Sequence, residues 1–361
     1  MADVGDVAVE LLHELVGIDS VNPTLVPGAA GEGAIVEHLR ARLGGAGFVT
    51  TVVGPAGRPS LVAVPAHPVA GPTVVLNGHL DTVGVTGMDA PFRARVEGDR
   101  LHGRGAADMK GGVAALVAAA ERLVADGAAV RPVLALVADE EDASLGSEAL
   151  VAALPGLGVH PDVCVIAEPT DLALARSLRG FAVVRVVFTG RAAHSSQAEL
   201  GVNAVTHLGR FLHAVDTRGE GLMATLANGG ESAFVVPDRA ECLVELRTTP
   251  EQSPAAALAL VRGLLEPEWQ AEAELVAERD GWRLDDSGPA AELAARLGAA
   301  LGTGPTFDAP YWMEAPLWQA LCPTLICGPS GGGLHAVDEW VSLTQVRALA
   351  EALVEALPRA D

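Results

Sequence analysis

Six side chains scattered along the chain have the types and settings that metal-assisted hydrolysis needs: His79, Asp108, Glu140, Glu141, Glu168 and His335. His79 and Asp81 end the stretch Thr73-Val-Val-Leu-Asn-Gly-His-Leu-Asp-Thr-Val83, whose apolar run reads as a buried strand, and a strand end is where α/β sites sit. The spacing His-x-Asp lets the imidazole face a metal while a carboxylate holds the ring. Asp108 lies in the Gly-rich loop Leu101–Gly112, which leads into the apolar run Val113–Leu123. Three more polar clusters follow apolar strands: Asp139-Glu-Glu141 after Pro132–Ala138, Glu168 after Val163–Ala167, and His335 after Pro323–Gly328. Singly, an acid at a strand end is usually a helix cap or a solvated loop residue.

Together they read differently. His79, Asp108, Glu141, Glu168 and His335 offer two imidazoles and three carboxylates with no thiolate. That set suits Zn²⁺, and also Co²⁺ or Mn²⁺, better than a calcium cage or a thiolate structural site. One carboxylate bridging two ions makes a two-metal hydrolytic centre with the ions about 3.5–4 Å apart. Glu140, beside a ligand but spare, is then the natural general base for water.

The elements that must position these groups alternate strand, loop, helix and strand from Thr73 onward: Thr73–Gly78, Gly111–Ala125, Pro132–Ala138, Ser147–Ala153 and Val163–Ala167. This predicts an α/β fold, a mixed, largely parallel sheet flanked by helices. Ahead of it lie helical spacings over Asp6–Val16 and Gly31–Leu43 and a pair of edge strands, Phe48–Val53 and Leu61–Val64. The texture changes near residue 177. Strand Phe181–Thr189, helix Gly201–Val215, strands Leu222–Ala227 and Ala240–Thr248, helix Pro254–Leu265 and strand Ala271–Ala277 describe an inserted α+β unit of βαββαβ order. Gly281–Pro289 reads as the linker back, followed by helices Ala290–Leu301 and Leu343–Leu357 around the strand Pro323–Gly328. The expected division is a discontinuous metal-binding domain, 1–176 with 285–361, and a lid or dimerisation domain, 177–284.

Composition narrows the partners. With 361 residues, half of them apolar, the chain can build two cores. A net charge of −22 argues against nucleic acid or an anionic membrane surface. The N-terminal residues lack a basic start and an apolar core, and no run of about twenty apolar residues suggests a membrane span, so a cytoplasmic protein is expected. Cys164, Cys242, Cys322 and Cys327 lie in apolar stretches without Cys-x-x-Cys spacing and read as buried reduced thiols. Gly103-Arg-Gly105 is not a dinucleotide fingerprint, since the strand and third glycine are missing.

Gly78-His-Leu-Asp-Thr-Val83, Gly103-Arg-Gly-Ala-Ala-Asp-Met-Lys-Gly-Gly112, Asp139-Glu-Glu141 and Glu168-Pro-Thr170, in this order, resemble the M20 metallopeptidases and deacylases. Met313-Glu-Ala-Pro316, Cys322-Pro-Thr-Leu325 and Gly328-Pro329 are similar to acetylornithine deacetylases, with succinyl-diaminopimelate desuccinylases as near relatives. The resemblance implies that His79 and Glu168 hold one zinc, Glu141 and His335 the other, and Asp108 both. It implies further that Asp81 orients His79, that Glu140 is the base, and that the Asp108–Met109 peptide is cis. His194 corresponds to a lid histidine that polarises the scissile carbonyl, often across a homodimer; Arg247 holds the substrate carboxylate, and Asn203 and Gly333 are further substrate contacts.

Glu314, beside Tyr311 and Trp312, is a candidate reader of a cationic substrate side chain. The implied activity is removal of a small acyl group from an N-acyl amino acid such as N-acetylornithine. Desuccinylation, dipeptide hydrolysis and non-catalytic amino-acid or peptide binding are the rivals. Phe234, His102 and Met313 depart from the family pattern, where Asn, an aromatic and Thr are usual; none is a proposed ligand.

Overall fold

The computed structural model describes residues 2–302 and 306–358. The chain divides into two compact units, one of residues 1–176, 284–307 and 317–361, the other of residues 177–283 and 308–316.

The first unit is built on a six-stranded sheet in the order Phe48–Val53, Ser60–Pro65, Arg131–Val137, Thr73–His79, Val163–Ile166, Thr324–Ile326. The last four run parallel; the first two join antiparallel at the edge. Thr73–His79 is buried at every residue, as a central strand covered on both faces requires, which is why it reads as a continuous apolar run rather than an alternation. The helix Gly111–Ala125 is buried almost all round its first ten residues and packs between Val4–Val16 and Leu343–Ala356. Its start passes so close to the end of the Val163–Ile166 strand that a Cβ on Gly112 would strike the Ala167 carbonyl oxygen, just before Glu168. Hence the paired glycines of the loop.

A second, small sheet of short strands was not legible in the sequence. Arg95–Glu97, Arg100–His102, Trp340–Ser342 and Gly331–Gly332 pair antiparallel, with Val341 opposite Leu101 and Trp340 opposite His102. Elements of two or three residues carry no readable periodicity.

The second unit is a four-stranded antiparallel sheet, Leu222–Gly229, Arg239–Thr248, Gly180–Thr189 and Ala271–Arg279 in spatial order, with helices Ala204–Arg218 and Pro254–Arg262. In Gly180–Thr189 burial alternates, and Ala182, Val184, Val186 and Phe188 pack with Leu208, Phe211 and Val261. The first helix starts three residues later than the expected Gly201, because Asn203 is its N-cap, with Oδ1 accepting from Thr206 N at 3.0 Å.

Residues 308–316 were expected in the first unit and cluster instead with the second. Arg179 N donates to Ala309 O and Tyr311 O, Ser177 Oγ donates to Asp308 at 2.6 Å, and Trp312 meets Phe181 edge to face. Glu314 therefore belongs to the second unit and is 1% exposed. The four cysteines are free and buried. Among the described residues no helix is long and apolar enough to cross a membrane.

Candidate metal centre

The parallel strands of the first unit end together, and their ends carry the chemistry. His79 is the last residue of its strand; Glu140 and Glu141 follow the neighbouring Arg131–Val137 strand and Glu168 the Val163–Ile166 strand on the other side. Donor atoms of His79, Glu140 and Glu168 lie within 4.8 Å of one another, and so do those of His79, Asp108 and Glu141. Asp108 links two imidazoles: its Oδ1 is 2.9 Å from His79 Nε2 and its Oδ2 3.2 Å from His335 Nε2. His335 Nε2 is also 3.0 Å from Glu141 Oε2, while Glu140 Oε2 stands 4.0 Å from His79 Nε2. The Asp108–Met109 peptide is cis.

Two loop residues sit in the left-handed region that side chains seldom adopt, Asp139 at φ 69° and His335 at φ 59°. Both loops are held from behind. Asp81, fully buried, accepts from Asn22 Nδ2 at 2.8 Å and from the backbone N–H of Glu140 and Glu141 at 3.1 and 3.3 Å. Asp139 accepts from the same Asn22 amide at 3.0 Å and pairs with the buried Arg58 at 2.6 Å, which in turn pairs with the buried Glu32. Behind Asp108 stands Glu339, whose carboxylate accepts from the backbone N–H groups of Gly105, Ala107 and Asp108. Sequence reasoning missed Asn22, Arg58 and Glu339, and gave Asp139, though inside the Asp139-Glu-Glu141 cluster, no role. The only signals were an acid four residues after His335 and the arginine inside the Gly103–Gly105 turn.

Asp81 also differs from expectation in how it meets His79. The ring Nδ1 is 3.0 Å from the Asp81 carbonyl oxygen and 3.7 Å from its carboxylate, so the nearer partner is the main chain.

The electrostatics follow from burial and pairing. Burial works to raise the Asp108 pKa, but the hydrogen bonds from His335 and His79 outweigh it and hold the carboxyl well below the usual range. Hydrogen bonds to Asp108 and Glu141 lift His335 to about 10. Burial opposes a charged His79, yet Asp108 and the nearby Glu168 and Glu140 carboxylates keep its pKa well above the ordinary imidazole value. Glu141 is raised, chiefly by burial, and its Oε1 is buried without a hydrogen-bond partner among the described residues. Two imidazoles and clustered carboxylates, one with an orphaned oxygen, are what a divalent cation would satisfy. The residues fit the group.

Gly333, two residues before His335, has φ 68°, and a Cβ there would press on Asp338. In the second unit, His194 is exposed and caps the turn Ser195–Leu200, its Nδ1 2.8 Å from Ser196 Oγ. Arg247 is half exposed, paired with Glu245 at 2.6 Å and lying over the Phe181 ring at 5.6 Å. Phe234 is 71% exposed.

Residues 75–359, which include every proposed metal ligand, match the family described as peptidase family M20/M25/M40. The chain belongs to this family. It is 28% identical to a succinyl-diaminopimelate desuccinylase of Gluconacetobacter diazotrophicus over 98% of this chain and 96% of the relative. It is 28% identical to an acetylornithine deacetylase of Vibrio vulnificus (96% and 97%) and 32% identical to an N-acetyl-L-citrulline deacetylase of Xanthomonas campestris pv. campestris (98% of each). Among solved structures, an aminopeptidase from Bacillus cereus shares the fold with a TM-score of 0.80, 19% identity and 98% of each chain covered. A dinuclear metal binding peptidase of the M20 family from Bacillus subtilis does so at 0.76, with 15% identity and coverage of 98% of this chain and 97% of that one. This M20 member is a hydrolase with amino-acid deacylases among its relatives.

Proposed function

We propose that this chain is a two-metal amidohydrolase that removes a small acyl group from an N-acyl amino acid, N-acetylornithine foremost. The observation that carries the reading is Asp108, whose two carboxylate oxygens face two different imidazoles. His79 and Glu168 are assigned to one zinc, Glu141 and His335 to the other and Asp108 to both; Co²⁺ or Mn²⁺ suits the same donors. When bound, such ions supply Lewis acidity, lowering the pKa of water toward about 7 and polarising the acyl carbonyl.

The chain's own part is proton handling and positioning. Glu140, its carboxylate largely shielded from solvent and its backbone N–H held by Asp81, accepts the proton of the attacking water. The water oxygen bonds to the carbonyl carbon, the C–N bond breaks, and Glu140 returns the proton to the leaving amine. His194, Arg247, Asn203, Gly333 and Glu314 are assigned to carbonyl polarisation and substrate reading on the order of the motifs. The enzyme is expected to work in the cytoplasm as a homodimer.

Desuccinylation of succinyl-diaminopimelate is the second reading, supported by a full-length relative of that name. A panel of N-acetyl, N-succinyl and dipeptide substrates, run with metal analysis, separates the two. In the same assays Glu140→Gln should keep its metal and lose about 10²–10⁴-fold in turnover. Normal turnover in that variant would remove Glu140 as the base, and a wild type without metal or amide hydrolysis would leave only a binding protein.

A further inference from the structure

We propose that Glu339, with Arg104, is a positioning latch that joins the loop carrying Asp108 to the loop carrying His335 and so builds one of the two metal sites, that of Asp108, Glu141 and His335. The inference rests on the two-metal reading above.

Glu339 is 1% exposed and Arg104 3%. Both oxygens of the carboxylate are spent on the Asp108 loop: Oε1 accepts from Ala107 N at 2.9 Å and Asp108 N at 3.1 Å, Oε2 from Gly105 N at 2.9 Å and Arg104 Nη1 at 2.7 Å. The guanidinium returns the connection, since Arg104 Nη2 donates at 3.0 Å to the carbonyl oxygen of Ala336, the residue after His335. The small sheet frames the same join, pairing Trp340, next to Glu339, with His102, at the start of the Asp108 loop. Four charge-assisted hydrogen bonds converge on one buried carboxylate and hold the backbone from Gly105 to Asp108.

The two sites differ in what sets their spacing. His79 ends one strand and Glu168 follows its parallel neighbour, and the ladder that pairs Asn77 with Ile166 fixes the distance between them. Asp108 and His335 come from loops more than two hundred residues apart, and no strand of the large sheet ends at either. The latch supplies there what the ladder supplies at the other site. Its loss should therefore weaken the metal of Asp108, Glu141 and His335 most, and the other, which shares Asp108 but keeps His79 and Glu168 on the strand ladder, less.

The test is a cobalt(II) titration of the chelator-stripped full chain, read by visible absorption and by metal content, for wild type, Glu339→Gln, Arg104→Lys and His335→Ala. A glutamine keeps one acceptor oxygen but sets an amide donor against two of the four donors, whichever way it turns. The expected result is two equivalents for wild type and, in Glu339→Gln, one equivalent weakened about 10–100-fold and the other clearly less, the more weakened one being the equivalent that His335→Ala loses. Arg104→Lys, which can reach Glu339 but cannot also hold Ala336, should weaken that equivalent less, and it carries the test if Glu339→Gln does not fold. Two equivalents at wild-type affinity in the variants, or equal weakening of both, overturns the latch while leaving the two-metal reading standing. A wild type that takes up no cobalt overturns both.

Discussion

The carboxylate of Asp81 accepts the backbone N–H of Glu140 at 3.1 Å. It also holds Glu141 N and the Asn22 side chain, while His79 Nδ1 rests on the Asp81 carbonyl oxygen. Asp81 thus carries its imidazole by the main chain and the proposed base by the side chain. Asp81→Asn should leave metal bound at His79 but cost about 10–100-fold in kcat, because an amide cannot accept from all three donors. Turnover assays beside metal analysis check this. Metal loss in step with activity would instead make the carboxylate the holder of the ring.

Metal uptake should depend steeply on pH. His335, lifted to about 10 by its hydrogen bonds to Asp108 and Glu141, must give up a proton before its nitrogen can ligate, and Glu141, raised by burial, competes in the same direction. Below pH 10 binding releases a proton, so affinity rises as pH rises toward that value and falls as pH drops. Isothermal titration of the stripped chain in buffers of different ionisation heat should detect the released proton at pH 7. Affinity that is flat from pH 6 to 9 would contradict it.

The contrast between what could and could not be read from the sequence is physical. His79, Glu140, Glu141 and Glu168 were legible because each follows an apolar run long enough to announce a strand, and parallel strands deliver their ends to one edge. The βαββαβ insert was legible through the strict alternation of Gly180–Thr189 and Arg239–Thr248. The small sheet was not, since strands such as Gly331–Gly332 bury too little to leave a pattern. Nor were the contacts of Glu339 and Asn22, which depend on pairings across 231 and 117 residues that no local spacing encodes. Residues 308–316 were misplaced for the same reason, because their partners Ser177, Arg179 and Phe181 lie far back along the chain.

The second unit should drive self-association. Its sheet ends in Leu222–Gly229, an edge strand on which Met223 and Leu226 are 56% and 48% exposed, and an uncovered edge offers unpaired backbone groups to another chain. A homodimer is expected in sedimentation at micromolar concentration, with Leu226→Lys shifting it toward monomer. A wild type that sediments only as monomer removes the expectation.

Glu314 tests which amine the enzyme prefers. It is 1% exposed in the second unit and next in sequence but one to Trp312, whose ring faces Phe181 and Arg279. A buried carboxylate that pairs with a substrate ammonium can contribute about 1.5–3 kcal/mol, on the order of tenfold to a hundredfold in kcat/KM. Glu314→Gln should therefore lower efficiency on N-acetylornithine by about that factor, mainly through KM, and leave N-acetylmethionine nearly unchanged. If Glu314 serves only the packing of its unit, the same substitution lowers the melting temperature and reduces both substrates alike. Equal losses would thus withdraw the cationic preference and leave a general acyl-amino-acid hydrolase.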